Sequence, residues 1–140
     1  MMNRQTKIAS LILRLSLAAT FLSAVASRLG LWGEQSSEWE NFLIYASQVL
    51  SYVPDLLIPY FAVGATTLET AFSLLLITGY KTRIAAYGAA FITLVFALSM
   101  AYSFGVKSPL DYSVFAFSAG AFLLATLPAY PWSLDQFLKR

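Results

Sequence analysis

Apolar residues fill four long stretches of the chain, Ile8–Ser27, Pro59–Gly79, Ile84–Phe104 and Leu110–Leu127. Away from their ends these stretches carry only two charged side chains, Arg14 and Glu69. A helix of about 20 residues spans the roughly 30 Å hydrocarbon core of a bilayer, so the pattern predicts four membrane-spanning helices. A different pattern lies between the first two. Trp39, Phe42, Leu43, Ala46, Val49, Leu50 and Val53 recur at helical spacing and predict an amphipathic helix over residues 38–53. Ser37 and Glu40 have the spacing of a capping box at its start, and Pro54 ends it. This segment is too short and too polar on one face to span, which predicts a helix along the membrane surface with Trp39 and Tyr45 at headgroup depth. The predicted fold is all-α: an integral membrane four-helix bundle with an extra interfacial amphipathic helix between spans one and two, forming a single transmembrane domain over residues 1–140.

Punctuation between the stretches fits this plan. Gly30 suits the position after the first helix, and Gly79 closes the second span. The connection Tyr80–Arg83 is so short that spans two and three must form an antiparallel hairpin. Gly105 ends span three. Ser108, Pro109 and Asp111 then read as N-cap, N1 and N3 of span four. Pro128 and Pro131 stop that helix, and Ser133 with Gln136 caps a short tail helix carrying Leu134, Phe137 and Leu138, with Trp132 at the interface. The amino terminus imitates a secretory signal through Arg4, Lys7 and Ala24-Val25-Ala26. Arg14 interrupts the apolar run, and the run is long for a signal, so the segment reads as a retained first helix.

Composition agrees: 59% of residues are hydrophobic and 11% charged, with mean hydropathy +0.68. A soluble domain is nearer half apolar and a quarter charged, so lipid is the expected solvent for much of this surface. Net charge is +2 without a basic run, which excludes a nucleic-acid interface. The chain has neither cysteine nor histidine. It therefore cannot form a disulfide, relay electrons through thiols, hold a cluster on its own thiolates, or offer histidine to a metal or as a general base. No catalytic residue, metal site or resident cofactor is expected. With the amino terminus inside, Arg4, Lys7, Lys81, Arg83, Lys139 and Arg140 share one side, against Arg28 and Lys107 on the other. Basic residues set orientation, so both termini are predicted to be cytoplasmic.

Glu69 stands out as a carboxylate near the centre of a span. There it must be protonated, paired or facing a wet cavity. Thr66, Thr70 and Ser73 lie near it on the helix surface. Two readings follow: a site for a proton, an ion or a polar headgroup, or a hydrogen-bonded Glu that locks helix packing. Arg14 lies about 9 Å inside the cytoplasmic boundary if the span begins at Ile8. It either snorkels to the inner headgroups or pairs with Glu69. A second constellation, Arg28, Trp32, Trp39, Lys107, Asp111 and Tyr112, gathers both charge signs with aromatics at the outer mouth of the bundle and could cradle a polar headgroup. Each of these residues also has an ordinary role as cap, helix end or interface anchor.

Several segments resemble the DoxX family. They are Phe21–Gly33, Ala65-Thr66-Thr67-Leu68-Glu69, Gly79-Tyr80-Lys81-Thr82-Arg83 and Val106–Phe115. The resemblance covers about residues 9–128. It implies a four-helix bundle of the bacterial inner membrane, and Arg14 and Glu69 match positions where the family tends to place an intramembrane Arg and Glu. Related proteins include a small subunit of a thiosulfate:quinone oxidoreductase and a mycobacterial protein linked to superoxide dismutase and a sulfurtransferase.

Three functions are consistent with the residues and this resemblance. The first is an accessory or anchoring subunit of a membrane redox or sulfur-stress system, inactive alone, with protein subunits of that complex as partners. The second is a binding protein or enzyme for a quinone or isoprenoid held near Glu69 or beneath Trp39. The third is a small proton-coupled carrier with an aqueous path to Glu69. Membrane lipids are the remaining expected partner, together with a second copy of the chain.

Overall fold

Helix α1 (Arg4–Arg28) runs for 25 residues without a break. The structure, a computed structural model, describes residues 1–139. Asn3 starts α1 by accepting a hydrogen bond from the Thr6 amide at 2.8 Å, the usual device for satisfying a free helix-end donor. Gly30, at φ 75°, turns the chain away at the other end. Then come α2 (Trp39–Val49), α3 (Ile58–Thr78), α4 (Thr82–Phe104), α5 (Lys107–Asp111), α6 (Val114–Thr126) and α7 (Leu134–Leu138). The described residues form no strand. Helices α1, α3 with its lead-in turn, and α4 are long and apolar enough to cross a membrane.

Four helices close a ring of contacts: α1 packs on α3 and α6, and α4 packs on α6 and α3. Alanine makes the closest seam. Ala85, Ala86, Ala89 and Ala90 on α4, with Ala121 and Ala125 on α6, are buried, and small side chains let helix backbones approach where lipid offers no hydrophobic drive. The Ser118 hydroxyl crosses this seam to the Ala90 carbonyl at 2.8 Å. Phe21 and Phe117 join α1 to α6 with ring centroids 4.9 Å apart. Gly88 lies under the Phe72 ring, which fills the space a side chain would need. Large apolar side chains such as Phe91, Leu98 and Phe122 point outward, the arrangement of a protein solvated by lipid.

Three local expectations are corrected. Span four is not continuous. Ser113 takes a left-handed conformation at φ 56° and separates α5 from α6, and Val106 rather than Ser108 precedes the first of these helices. The 13 residues of α6 extend only about 20 Å. The Ser37–Glu40 capping box does not form, because Ser37 exchanges hydrogen bonds with Ser27 and Glu38 takes the N-cap place at φ 64°. Helix α2 ends at Val49 rather than 53: the Val49 carbonyl accepts from the Ser103 hydroxyl on α4 at 2.6 Å, and the Tyr52 hydroxyl bonds Ser99 at 2.6 Å.

Arg14 neither snorkels nor meets Glu69. Its guanidinium is buried and donates to the backbone carbonyls of Trp132 at 2.8 Å and Pro131 at 3.4 Å. It also lies against Gly79 at the α3–α4 turn. The Arg14 guanidinium thus stands level with that turn instead of a third of the way through the bundle. The segment after α6 folds under the ring here. Gly79, left-handed at φ 69°, leaves room for Ser133. Ser133 and Gln136 cap α7 as the sequence predicts.

Asp135 completes this inner lock. Its two oxygens accept from the backbone amides of Lys81 and Thr82, each at 2.8 Å, and so cap α4 from a distant part of the chain. Burial works to raise its pKa. The hydrogen bonds from Thr82 and Lys81, with Lys139 nearby, outweigh that and hold the carboxylate below its ordinary range. A depressed carboxylate stabilises the fold fully above its unfolded pKa of about 3.9, and that contribution is lost as pH falls through the folded value. Asp135→Asn should therefore lower the thermal unfolding midpoint in detergent at pH 7, with the gap from wild type closing below about pH 4.

Candidate functional site

Beyond the level of the Gly79 turn, α1 runs a shorter distance than α3. From Arg14, level with Gly79, to Arg28 is about 21 Å of helix, while α3 continues for about 31 Å from the same level. Arg28 thus ends α1 inside the bundle, beside the middle of α3. Its Nη1 donates to Glu69 Oε2 at 2.6 Å and to Thr66 Oγ1 at 2.9 Å. Both charged side chains are nearly out of contact with solvent, at 11% and 13% exposure. The guanidinium also lies over the Phe42 ring, 4.0 Å from its centroid, a cation–π contact favoured in apolar surroundings. Trp39 packs on the far side of this group, its ring 5.6 Å from that of Phe42.

Helix α2 covers the groove between the outer parts of α3 and α4. It packs on α3 and α4, and one face, Phe42, Tyr45, Ala46, Val49 and Leu50, roofs a cavity of about 170 Å³. The floor is Phe61, Ala62 and Ala65 of α3 with Ile92, Phe96 and Ser99 of α4. Arg28 and Glu69 also line it, as its charged groups. The walls are otherwise nearly all apolar or aromatic. Tyr45 turns inward, against Phe96 and Phe104. Thr93 and Ser99 also face this space, but their hydroxyls already donate to carbonyls of their own helix.

Hydrogen-bond accounting shows what the cavity offers. A guanidinium has five N–H donors. Arg28 commits two, both from Nη1, and no partner among the described residues takes those of Nη2 or Nε. Glu69 Oε1 likewise has none among the described residues. The inner end of an apolar cavity therefore presents unused donors beside an unused acceptor.

The predicted site residues divide sharply. Arg28, Thr66, Glu69 and Trp39 come together. Ser73 is on the same helix but bonds the Glu69 carbonyl at 2.7 Å, away from its carboxylate. Lys107 and Asp111 pair with each other one turn apart on the exposed surface, and Tyr112 is exposed beside them. Arg14 is at the opposite end of the bundle. Sequence reasoning missed the partnership of Arg28 with Glu69 and the role of Phe42. The available signal was the Thr66/Glu69 polar stripe, which required a cation on a neighbouring helix. The DoxX family model matches residues 9–102, well over half of the chain. The chain belongs to the DoxX family. Every residue of the cavity falls within the DoxX match, whereas Lys107, Asp111 and Tyr112 fall outside it. No curated protein and no solved structure matches the chain significantly.

Thr66→Val keeps the shape of the side chain and removes one hydrogen bond to a charged group. It should cost about 1–3 kcal/mol of stability. Phe42→Leu should cost about 0.5–2 kcal/mol through the lost cation–π contact. Denaturant unfolding in mild detergent measures both, and near-neutral values would place Arg28 away from these partners.

Proposed function

We propose that this DoxX-family protein is a membrane-embedded receptor for a lipophilic small molecule, whose polar head sits against Arg28 and Glu69. The cavity carries the proposal: an apolar space ending on a buried ion pair that retains free donors and a free acceptor. An engineered apolar cavity of about 150 Å³ binds benzene, so this one suits a single ring. A quinone head has that size: an oxygen would accept from Arg28 Nη2 or Nε, and in the hydroquinone form a hydroxyl would donate to Glu69 Oε1. Phe61 and Phe96 are exposed at the rim, so an isoprenoid tail would leave between α3 and α4 toward lipid.

In this reading the chain crosses the membrane four times. Helices α1, α3 and α4 cross alone, and α5 with α6 makes the fourth crossing despite its break. Helix α2 lies in the outer half of the bilayer as a roof, with its polar side toward the surface. Lys81, Arg83 and Lys139 stay with the termini on the cytoplasmic side of a bacterial inner membrane, following the basic-residue rule. Arg140, counted with them in the sequence, lies outside the described residues.

Extraction of the gently purified protein with organic solvent, followed by mass spectrometry, tests the proposal. A lipophilic ring compound should accompany the wild type in near-stoichiometric amount. Ala65→Leu, which fills the cavity, and Glu69→Gln, which removes the charge from the acceptor, should each reduce it at least about tenfold, the scale of one charged hydrogen bond. A wild type free of any such compound, or two folded variants that retain it fully, would overturn the reading.

A further inference from the structure

A second recess, of about 300 Å³, opens at the other end of the bundle, where the α3–α4 turn meets the segment leading into α7. Lys81, Arg83, Ile84, Tyr130, Asp135 and Lys139 line it. Three cations converge here, and none is in an ion pair among the described residues, where the pairs are Arg28–Glu69 and Lys107–Asp111. One carboxylate, Asp135, shares the recess and feels the charge of Lys139, which leaves a net positive charge there. Asp135 spends both oxygens on the amides of Lys81 and Thr82. Arg83 is fixed in place by donating from Nη2 to the Leu127 carbonyl at 3.0 Å.

The surroundings decide what kind of anion fits. The recess lies at the end of two helices long enough to cross a membrane. Ile84 in its lining is an apolar side chain, 63% exposed. A soluble anion needs the cations alone, whereas a phospholipid uses the cations for its phosphate and the apolar flank for its chains. We propose that this recess binds the phosphate of an anionic phospholipid between Lys81, Arg83 and Lys139, with the acyl chains along Ile84. The site is separate from the α2-roofed cavity and requires only that α3 and α4 cross the membrane.

Native mass spectrometry of the detergent-purified protein, titrated with phosphatidylglycerol or phosphatidylcholine of identical chains, tests this. Phosphatidylglycerol should bind preferentially. A Lys81→Gln, Arg83→Gln, Lys139→Gln triple variant should lose that preference by at least about tenfold, since each cation near the surface is worth about fivefold. An Arg4→Gln, Lys7→Gln variant, which removes two charges elsewhere, should keep it. Lys139→Gln alone, in the exposed tail, should lose about fivefold and covers the case of a triple variant that fails to fold. Equal binding of the two lipids, an equal loss in the Arg4/Lys7 variant, or unchanged affinity in Lys139→Gln would overturn the proposal. So would glycerol phosphate displacing the lipid at matched concentration, which would assign the recess to a soluble anion.

Discussion

A guanidinium and a carboxylate held 2.6 Å apart inside an apolar helix bundle constrain everything around them. Neither charge tolerates removal from water alone, and together they need further hydrogen bonds to offset desolvation. Thr66 supplies one and the face of Phe42 supplies a second attraction. The pair therefore fixes the outer end of α1 against the middle of α3. Everything outward of that point must be covered by another part of the chain. Helix α2 does this, tied to α4 through Ser103 and Ser99.

The cavity follows from how α2 covers the outer bundle. Helix α1 packs on α3 and α6 and leaves the groove between the outer parts of α3 and α4 open. A short amphipathic helix laid across it fills the gap incompletely, and the remaining space ends at the ion pair. Helix packing and the cavity are thus one feature: the residues that lock α1 to α3 are also its charged lining. The inner end of the bundle works differently. There Arg14 and Asp135 are consumed by backbone groups, the first by carbonyls and the second by amides. Those charges build structure, although Arg14 Nε is buried without a partner among the described residues, while Lys81, Arg83 and Lys139 are in no ion pair around the inner recess.

Hydropathy and periodicity made much of the architecture legible, because lipid forces long apolar helices and glycine marks their ends. The α3–α4 hairpin, the turn at Gly30 and the Ser133 cap were all readable from local residue types. Partners for charged residues were not. Arg14 looked like the intramembrane cation for Glu69 because it lies within an apolar run, and Arg28 looked like a helix-end charge because it closes one. Which cation reaches Glu69 depends on where α1 starts relative to α3. The contacts of Arg28 with Glu69 and of Arg14 with Trp132 and Gly79 mark that register, which apolar length cannot report. The break at Ser113 was hidden for a related reason: a non-glycine residue in a left-handed conformation carries no clear sequence signal.

A double-mutant cycle on Arg28 and Glu69 tests this account most directly. Arg28→Met and Glu69→Leu should each destabilise the detergent-solubilised protein by about 3–5 kcal/mol, since each strands a buried charge. The double variant should be more stable than their sum by about 2 kcal/mol or more, within the range of contacting residues. Losses that add to within about 0.5 kcal/mol would mean that the two side chains do not interact, and the arrangement of α1, α2 and the cavity would fall with them.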